Sequence, residues 1–103
     1  MIKGFKMKLH RGKEEEYRKR HDQIWPEMID LIREYGGHNY SIFYDYETGI
    51  LFGYIEIDDE KKWTESTNTV VNRKWWDYMA DIMETYPDNS PVSKDLELVF
   101  HLD

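Results

Sequence analysis

Apolar and polar residues alternate from Ile2 to His10, with Phe5, Met7 and Leu9 on one side and Lys6, Lys8 and His10 on the other. That period of two predicts a strand. After Arg11-Gly12-Lys13 the spacing changes: Glu14/Arg18, Glu15/Lys19 and Glu16/Arg20 are i,i+4 pairs with the acid first, the orientation that favours a helix. Pro26 suits the first turn of a second helical segment. Met28, Ile29, Leu31, Ile32 and Tyr35 then form an apolar stripe at helical spacing, closed by Gly36-Gly37. Two strands are expected over His38–Tyr44 and Ile50–Ile57, joined by the short Gly-containing loop Asp45–Gly49. A helical region covers roughly residues 59 to 86, broken near Ser66–Thr69, with Trp75, Met79, Ile82 and Met83 on one face. Beyond the irregular Pro87-Asp88-Asn89-Ser90-Pro91, the alternation of Leu96, Leu98, Phe100 and Leu102 predicts a last strand.

The order βαββαβ, with right-handed crossovers, gives an α+β fold: a ferredoxin-like sandwich with its helices on one face of the sheet. No repeat or linker interrupts the chain, so residues 1–103 are expected to form a single domain. Tyr40, Ile42 and Tyr44 fall on one side of the second strand. On the third strand Ile50, Phe52 and Tyr54 oppose Leu51, Ile55 and Ile57. Both faces are therefore apolar and aromatic, and helices cover only one. A patch of that size is rarely left in water, which predicts a homodimer stacked sheet on sheet and a ligand pocket.

Composition narrows the partners. Fourteen Lys+Arg against 21 Asp+Glu give a net charge of −7, which argues against nucleic acid and against an anionic membrane surface. No apolar run approaches the ~20 residues of a membrane-spanning helix, and the first residues lack the apolar core of a signal peptide. A soluble cytoplasmic domain is expected. The absence of Cys removes thiol nucleophiles and zinc–thiolate sites, and the scattered acids and histidines show no metal-ligand spacing, so neither metal nor cofactor is expected. Aromatic residues, by contrast, reach 16%, with four Trp and eight Tyr.

Some of these aromatics carry candidate chemistry. Tyr17 and His21 lie four residues apart on one helical face, and an imidazole of ordinary pKa ~6.5 serves as acid or base near neutrality. On spacing alone, a packed Tyr17 and a His21 at a solvated helix end are the more ordinary reading. Trp75-Trp76 splits about 100° around a helix, so one indole can pack while the other reaches a pocket rim. The apolar C–H face of a sugar ring lies flat on such a ring, and burying ~60 Å² there is worth about 1.5 kcal/mol. Tyr40, opening the second strand, reads as half-buried filler. His10 and His101 fall on strands expected to be neighbours, where they read as ordinary strand residues.

Four blocks go further together. Tyr17-x-x-Arg20-His21-x-x-Ile24-Trp25-Pro26-Glu27, His38-Asn39-Tyr40-Ser41-Ile42, Lys74-Trp75-Trp76-x-Tyr78-Met79-x-Asp81-Ile82-Met83 and Pro87-Asp88-Asn89-Ser90-Pro91-Val92 resemble the L-rhamnose mutarotase family in order and spacing over nearly the whole chain. The resemblance implies a ferredoxin-like homodimer, a dimeric α+β barrel. It implies interconversion of the α and β anomers of L-rhamnose, an isomerase activity without metal or organic cofactor. His21 matches the family's proton donor, and Tyr17, Tyr40, Trp75 and Trp76 match its sugar-contacting positions. On this reading an imidazolium at His21 protonates the ring oxygen, and Met7, Ile24 and Met83 are candidates to meet the sugar's methyl group. Two rivals share the architecture: a cofactor-independent oxygenase or haem-degrading enzyme, and a sugar-binding module without catalysis.

Overall fold

The computed structural model describes residues 1–103. The N-terminal alternation folds as β1 (Ile2–Lys8), and the ion-pair segment as α1 (Glu14–Asp22). Of the three expected i,i+4 pairs only Glu16–Arg20 closes, at 2.8 Å. Three glutamates in the first turn of α1 nevertheless face the positive end of the helix dipole. Pro26 takes the first position of α2 (Pro26–Glu34), and Gly36, at φ +86°, carries the chain out of it into β2 (Gly37–Asp45). β3 (Ile50–Ile57), α3 (Glu60–Glu65), a 3₁₀ turn at Ser66–Asn68, α4 (Val70–Met79) and β4 (Ser93–Leu96) complete the order. Thr69 marks the expected break, its hydroxyl accepting from the Asn72 amide at 3.2 Å as the cap of α4.

The strands form one antiparallel sheet in the order β2-β3-β1-β4, the ferredoxin-like arrangement. Its inner face presents Leu51, Ile55 and Ile57 to the helices, and these join Leu9 and Ile82 among the most deeply buried side chains. Phe5 stands opposite Gly53 in the register. A Cβ at Gly53 would lie 2.2 Å from Phe5 Cζ, so the absence of a side chain there lets the Phe5 ring lie down across β3.

Two boundaries differ from the expectation. The helix predicted to reach Tyr86 ends at Met79. Arg20 Nη1 donates to the Tyr78 carbonyl at 2.7 Å, supplying a partner that another helical turn would otherwise provide. The chain then turns to pair with the end of β1: His10 N donates to Ile82 O, Glu84 N donates to Lys8 O, and Leu9 bridges Met83. Ile82 and Met83 are buried as their spacing implied, but by extended pairing. The last strand is Ser93–Leu96, not the alternating run to Leu102. Leu96 already stands opposite Gly4, so β1 has almost no residues left to pair with the tail. His10 and His101 both fall outside the strands, so they are not the neighbouring strand residues expected. No helix is long and apolar enough to cross a membrane.

Candidate active site

A cavity of about 790 Å³ opens between the inner sheet face and the helices. β1 and β2 supply Phe5, Met7, Tyr40 and Ile42; α1 supplies Tyr17 and His21, and α4 Trp75 and Trp76. All five site candidates therefore line one cavity, as do Met7, Ile24 and Met83.

Helical spacing stacks the Tyr17 ring on His21, with centroids 4.2 Å apart and planes at 28°. His21 Nδ1 lies 3.0 Å from the Tyr17 carbonyl oxygen. A carbonyl only accepts, so Nδ1 carries the hydrogen and Nε2 is left as the ring nitrogen available to a ligand. Burial lowers the imidazole pKa below its ordinary 6.5, against the smaller opposing effects of that hydrogen bond and of Asp22. At pH 7 the ring is thus predominantly neutral.

Tyr17 is buried, and its phenol is pushed far above the usual range, by burial first and by Tyr40 second. Tyr40 is pushed up to about 12 by burial. Its residue accessibility of 38% agrees with this once the surface is recognised as cavity wall: the ring packs edge-on to Phe5 at 6.2 Å. Both hydroxyls stay protonated at neutral pH and can donate hydrogen bonds to a ligand.

The two indoles divide as their angular separation implied. Trp75 is buried, edge-on to His21 at 5.4 Å and to Trp25 at 5.0 Å. Trp76 is half-buried, with the Arg73 guanidinium 4.9 Å from its ring centroid. Trp25 also packs against Tyr78 at 5.4 Å. This aromatic bracket escaped a reading by periodicity because Trp25 lies between two helices and belongs to the stripe of neither.

Arg20 also reaches beyond its i,i+4 pair with Glu16. Its side chain keeps 12% exposure, and it donates to both oxygens of Asp81, at 2.8 and 3.2 Å, and sits over the Tyr78 ring at 4.6 Å. Those bonds raise its pKa and hold the Asp81 carboxyl below the usual range. Two further polar residues line the cavity: Asn72, whose amide donates to Thr67 O at 3.3 Å, and Glu14, whose Oε2 is buried without a partner. No group of three His, Cys, Asp or Glu is placed to hold a metal ion.

An imidazole between phenols and indoles, over an apolar floor, suits a small polyhydroxylated ligand with apolar C–H faces. The family model that matches residues 3–102 is that of L-rhamnose mutarotase. The chain belongs to that family. A relative from Lachnoclostridium phytofermentans, named L-rhamnose mutarotase, is 59% identical over 101 residues, covering 98% of this chain and 97% of the relative. The crystal structure of L-rhamnose mutarotase FA22100 from Formosa agariphila superposes with a TM-score of 0.92 at 45% identity, covering 100% of this chain and 99% of that one. A dimeric ferredoxin-like protein from an uncultured marine organism matches at a TM-score of 0.67 and 10% identity, over 99% of this chain and 97% of that one; this likeness speaks for the fold alone.

Proposed function

We propose that the protein is an L-rhamnose mutarotase, an isomerase in which His21 moves the protons that open and reclose the sugar ring. The observation that carries this reading is the His21 ring itself: a largely neutral imidazole, hydrogen-bonded through Nδ1, with Nε2 available in a cavity walled by aromatic rings.

Mutarotation breaks the bond between the anomeric carbon and the ring oxygen. The anomeric hydroxyl loses a proton, the ring oxygen gains one, and the anomeric carbon becomes an aldehyde. Rotation about the adjacent carbon–carbon bond exposes the other carbonyl face, and reversal of both transfers gives the other anomer. The two oxygens are bonded to the same carbon, so one imidazole nitrogen reaches either with a small shift of the sugar. His21 starts neutral, accepts at Nε2, and as the resulting imidazolium is the acid that protonates the ring oxygen. Tyr17 and Tyr40, both held in the phenol form, donate hydrogen bonds to sugar oxygens, and Trp75 and Trp76 offer indole surface to its C–H groups. Met7, Ile24 and Met83 provide an apolar contact for the methyl at C6.

Saturation-transfer NMR between the α and β resonances of L-rhamnose tests the assignment, with buffer alone as the reference. His21→Ala is expected to lower kcat by about 10²–10⁴-fold. Wild-type exchange by that variant would remove His21 from the mechanism.

The same reading includes a homodimer. On the outer sheet face Phe43, Phe52, Tyr54 and Leu96 remain open, and beyond β4 the tail exposes Leu98 (60%), Val99 (88%), Phe100 (76%) and Leu102 (79%). A second copy covers this surface and pairs with the alternating tail, for which β1 has only Ile2 and Lys3 left.

A further inference from the structure

Strands β2 and β3 are out of step by one residue. Gly37 pairs with Ile57 and His38 with Glu56, but further along Ser41 pairs with Tyr54 and Ile42 with Gly53. Asn39 and Tyr40 together therefore stand opposite Ile55, in a β-bulge. Side chains alternate along a strand, so one extra residue moves everything beyond it to the other face. In a regular ladder His38, Tyr40 and Ile42 would share one face; the bulge keeps Tyr40, its second residue, with Ile42 on the cavity face and sets His38 opposite Glu56.

The bulge requires Asn39 to adopt φ +50°, in the left-handed region. Its side chain is held from the outer face. Asn39 Nδ2 donates to Glu56 Oε2 at 3.0 Å, and the Tyr54 hydroxyl donates to the same oxygen at 3.0 Å. Glu56 Oε1 lies 3.9 Å from His38 Nδ1, on the other side of the bulge. With 31% of its side chain exposed, the carboxylate is shielded enough for these contacts to order it and spans the irregular stretch from His38 to Asn39.

We propose that Glu56 is a positioning residue for the cavity on the opposite side of the sheet: its carboxylate pins Asn39 in the left-handed bulge, and the pinned backbone fixes where the ring of the adjoining Tyr40 meets the sugar. The sugar contact rests on the function proposed above; the control of the Tyr40 ring by Glu56 does not. Packing of the half-buried Ile42 and Tyr44 against the core fixes the register further along, so loss of the pin loosens the bulge locally and leaves the fold in place.

Two readouts separate these layers. The first is the nuclear Overhauser effect between the rings of Tyr40 and Phe5, which pack edge-to-face. It is expected to weaken in Glu56→Ala and in Asn39→Gly, which keeps the positive φ but drops the amide. It is expected to persist in Glu56→Gln, whose side-chain carbonyl still accepts from Asn39. The second is the KM for L-rhamnose in anomer exchange. It should rise on the order of tenfold in Glu56→Ala with a smaller change in kcat, recover in Glu56→Gln, and show no further rise when Glu56→Ala is added to Tyr40→Phe.

An unchanged ring contact in both Glu56→Ala and Asn39→Gly overturns the proposal, as does a KM rise of equal size with and without the Tyr40 hydroxyl. If Glu56→Ala does not fold, Asn39→Gly carries both readouts. If Tyr40→Phe alone leaves KM unchanged, the sugar contact assigned to Tyr40 falls, while the ring contact still decides whether Glu56 sets the bulge.

Discussion

His21 illustrates how much of a residue's chemistry is set by the groups around it. A histidine four residues after a tyrosine implies a shared helical face but not a protonation state. Here the carbonyl of Tyr17 takes the Nδ1 hydrogen and burial disfavours the cation, so neutral Nε2 is the form present at pH 7. Activity is therefore expected to fall as pH drops below about 6.5, with the midpoint lying lower still because the folded pKa is depressed; a pH profile of anomer exchange measures it. Stability follows the same sign. The unfolded chain binds this proton at a higher pH than the folded chain does, so the stability associated with neutral His21 is present above pH 6.5 and is lost as pH falls through the folded value. An activity limb centred above 6.5 would show that the ring is not desolvated as described.

At the level of elements, α1 and the end of α4 work as one unit. Arg20 closes α1 onto α4 through Asp81 and the Tyr78 carbonyl, and the next residue along α1 is His21, edge-on to Trp75 of α4. Arg20→Met removes two charge-assisted hydrogen bonds to Asp81 and leaves the Tyr78 carbonyl without its donor. It is expected to cost about 1–3 kcal/mol in urea unfolding, with a drop in kcat from the displaced imidazole. Asp81 is far more exposed than Arg20, so Asp81→Asn should cost about 1 kcal/mol or less. Equal losses in the two variants would contradict this account, in which the shielded guanidinium and not the exposed carboxylate holds the junction. The Glu16–Arg20 pair was legible as i,i+4 spacing; the turn toward Asp81 was not, because Asp81 is distant in sequence and its location depends on α4 stopping at Met79.

Across the whole molecule, one sheet face is used for the cavity and the other is left bare. Sedimentation velocity over a range of concentrations is expected to show a dimer. Leu98→Asp combined with Phe100→Asp should shift it toward monomer, because two carboxylates would have to enter an apolar interface without partners. A concentration-independent monomeric mass for the parent protein would sink the homodimer and leave the exposed tail without a function. The variants also ask whether the cavity works alone: its lining includes Ser93 and Asp95 of β4 but none of the four apolar tail residues, so a monomeric variant is expected to retain measurable exchange.

The alternation of β1, the acid-first pairs of α1, the stripe of α2 and the glycines after it depend on neighbours within one turn or one strand, and the chain by itself determines them. It also determined the ferredoxin-like order, and the four motif blocks, through their resemblance to a family, marked an imidazole, two phenols and two indoles as candidates. Tertiary structure decided the rest. Helix α4 stops early because Arg20 takes its terminal carbonyl and β1 pairs with the segment that follows. β4 is short because its partner runs out. His38 leaves the face that alternation would give it with Tyr40 and Ile42 because a left-handed Asn39, held by Glu56 from across the strand, shifts the alternation by one. In each case the controlling partner is remote in sequence, and a repeat of two or of 3.6 residues carries no information about it.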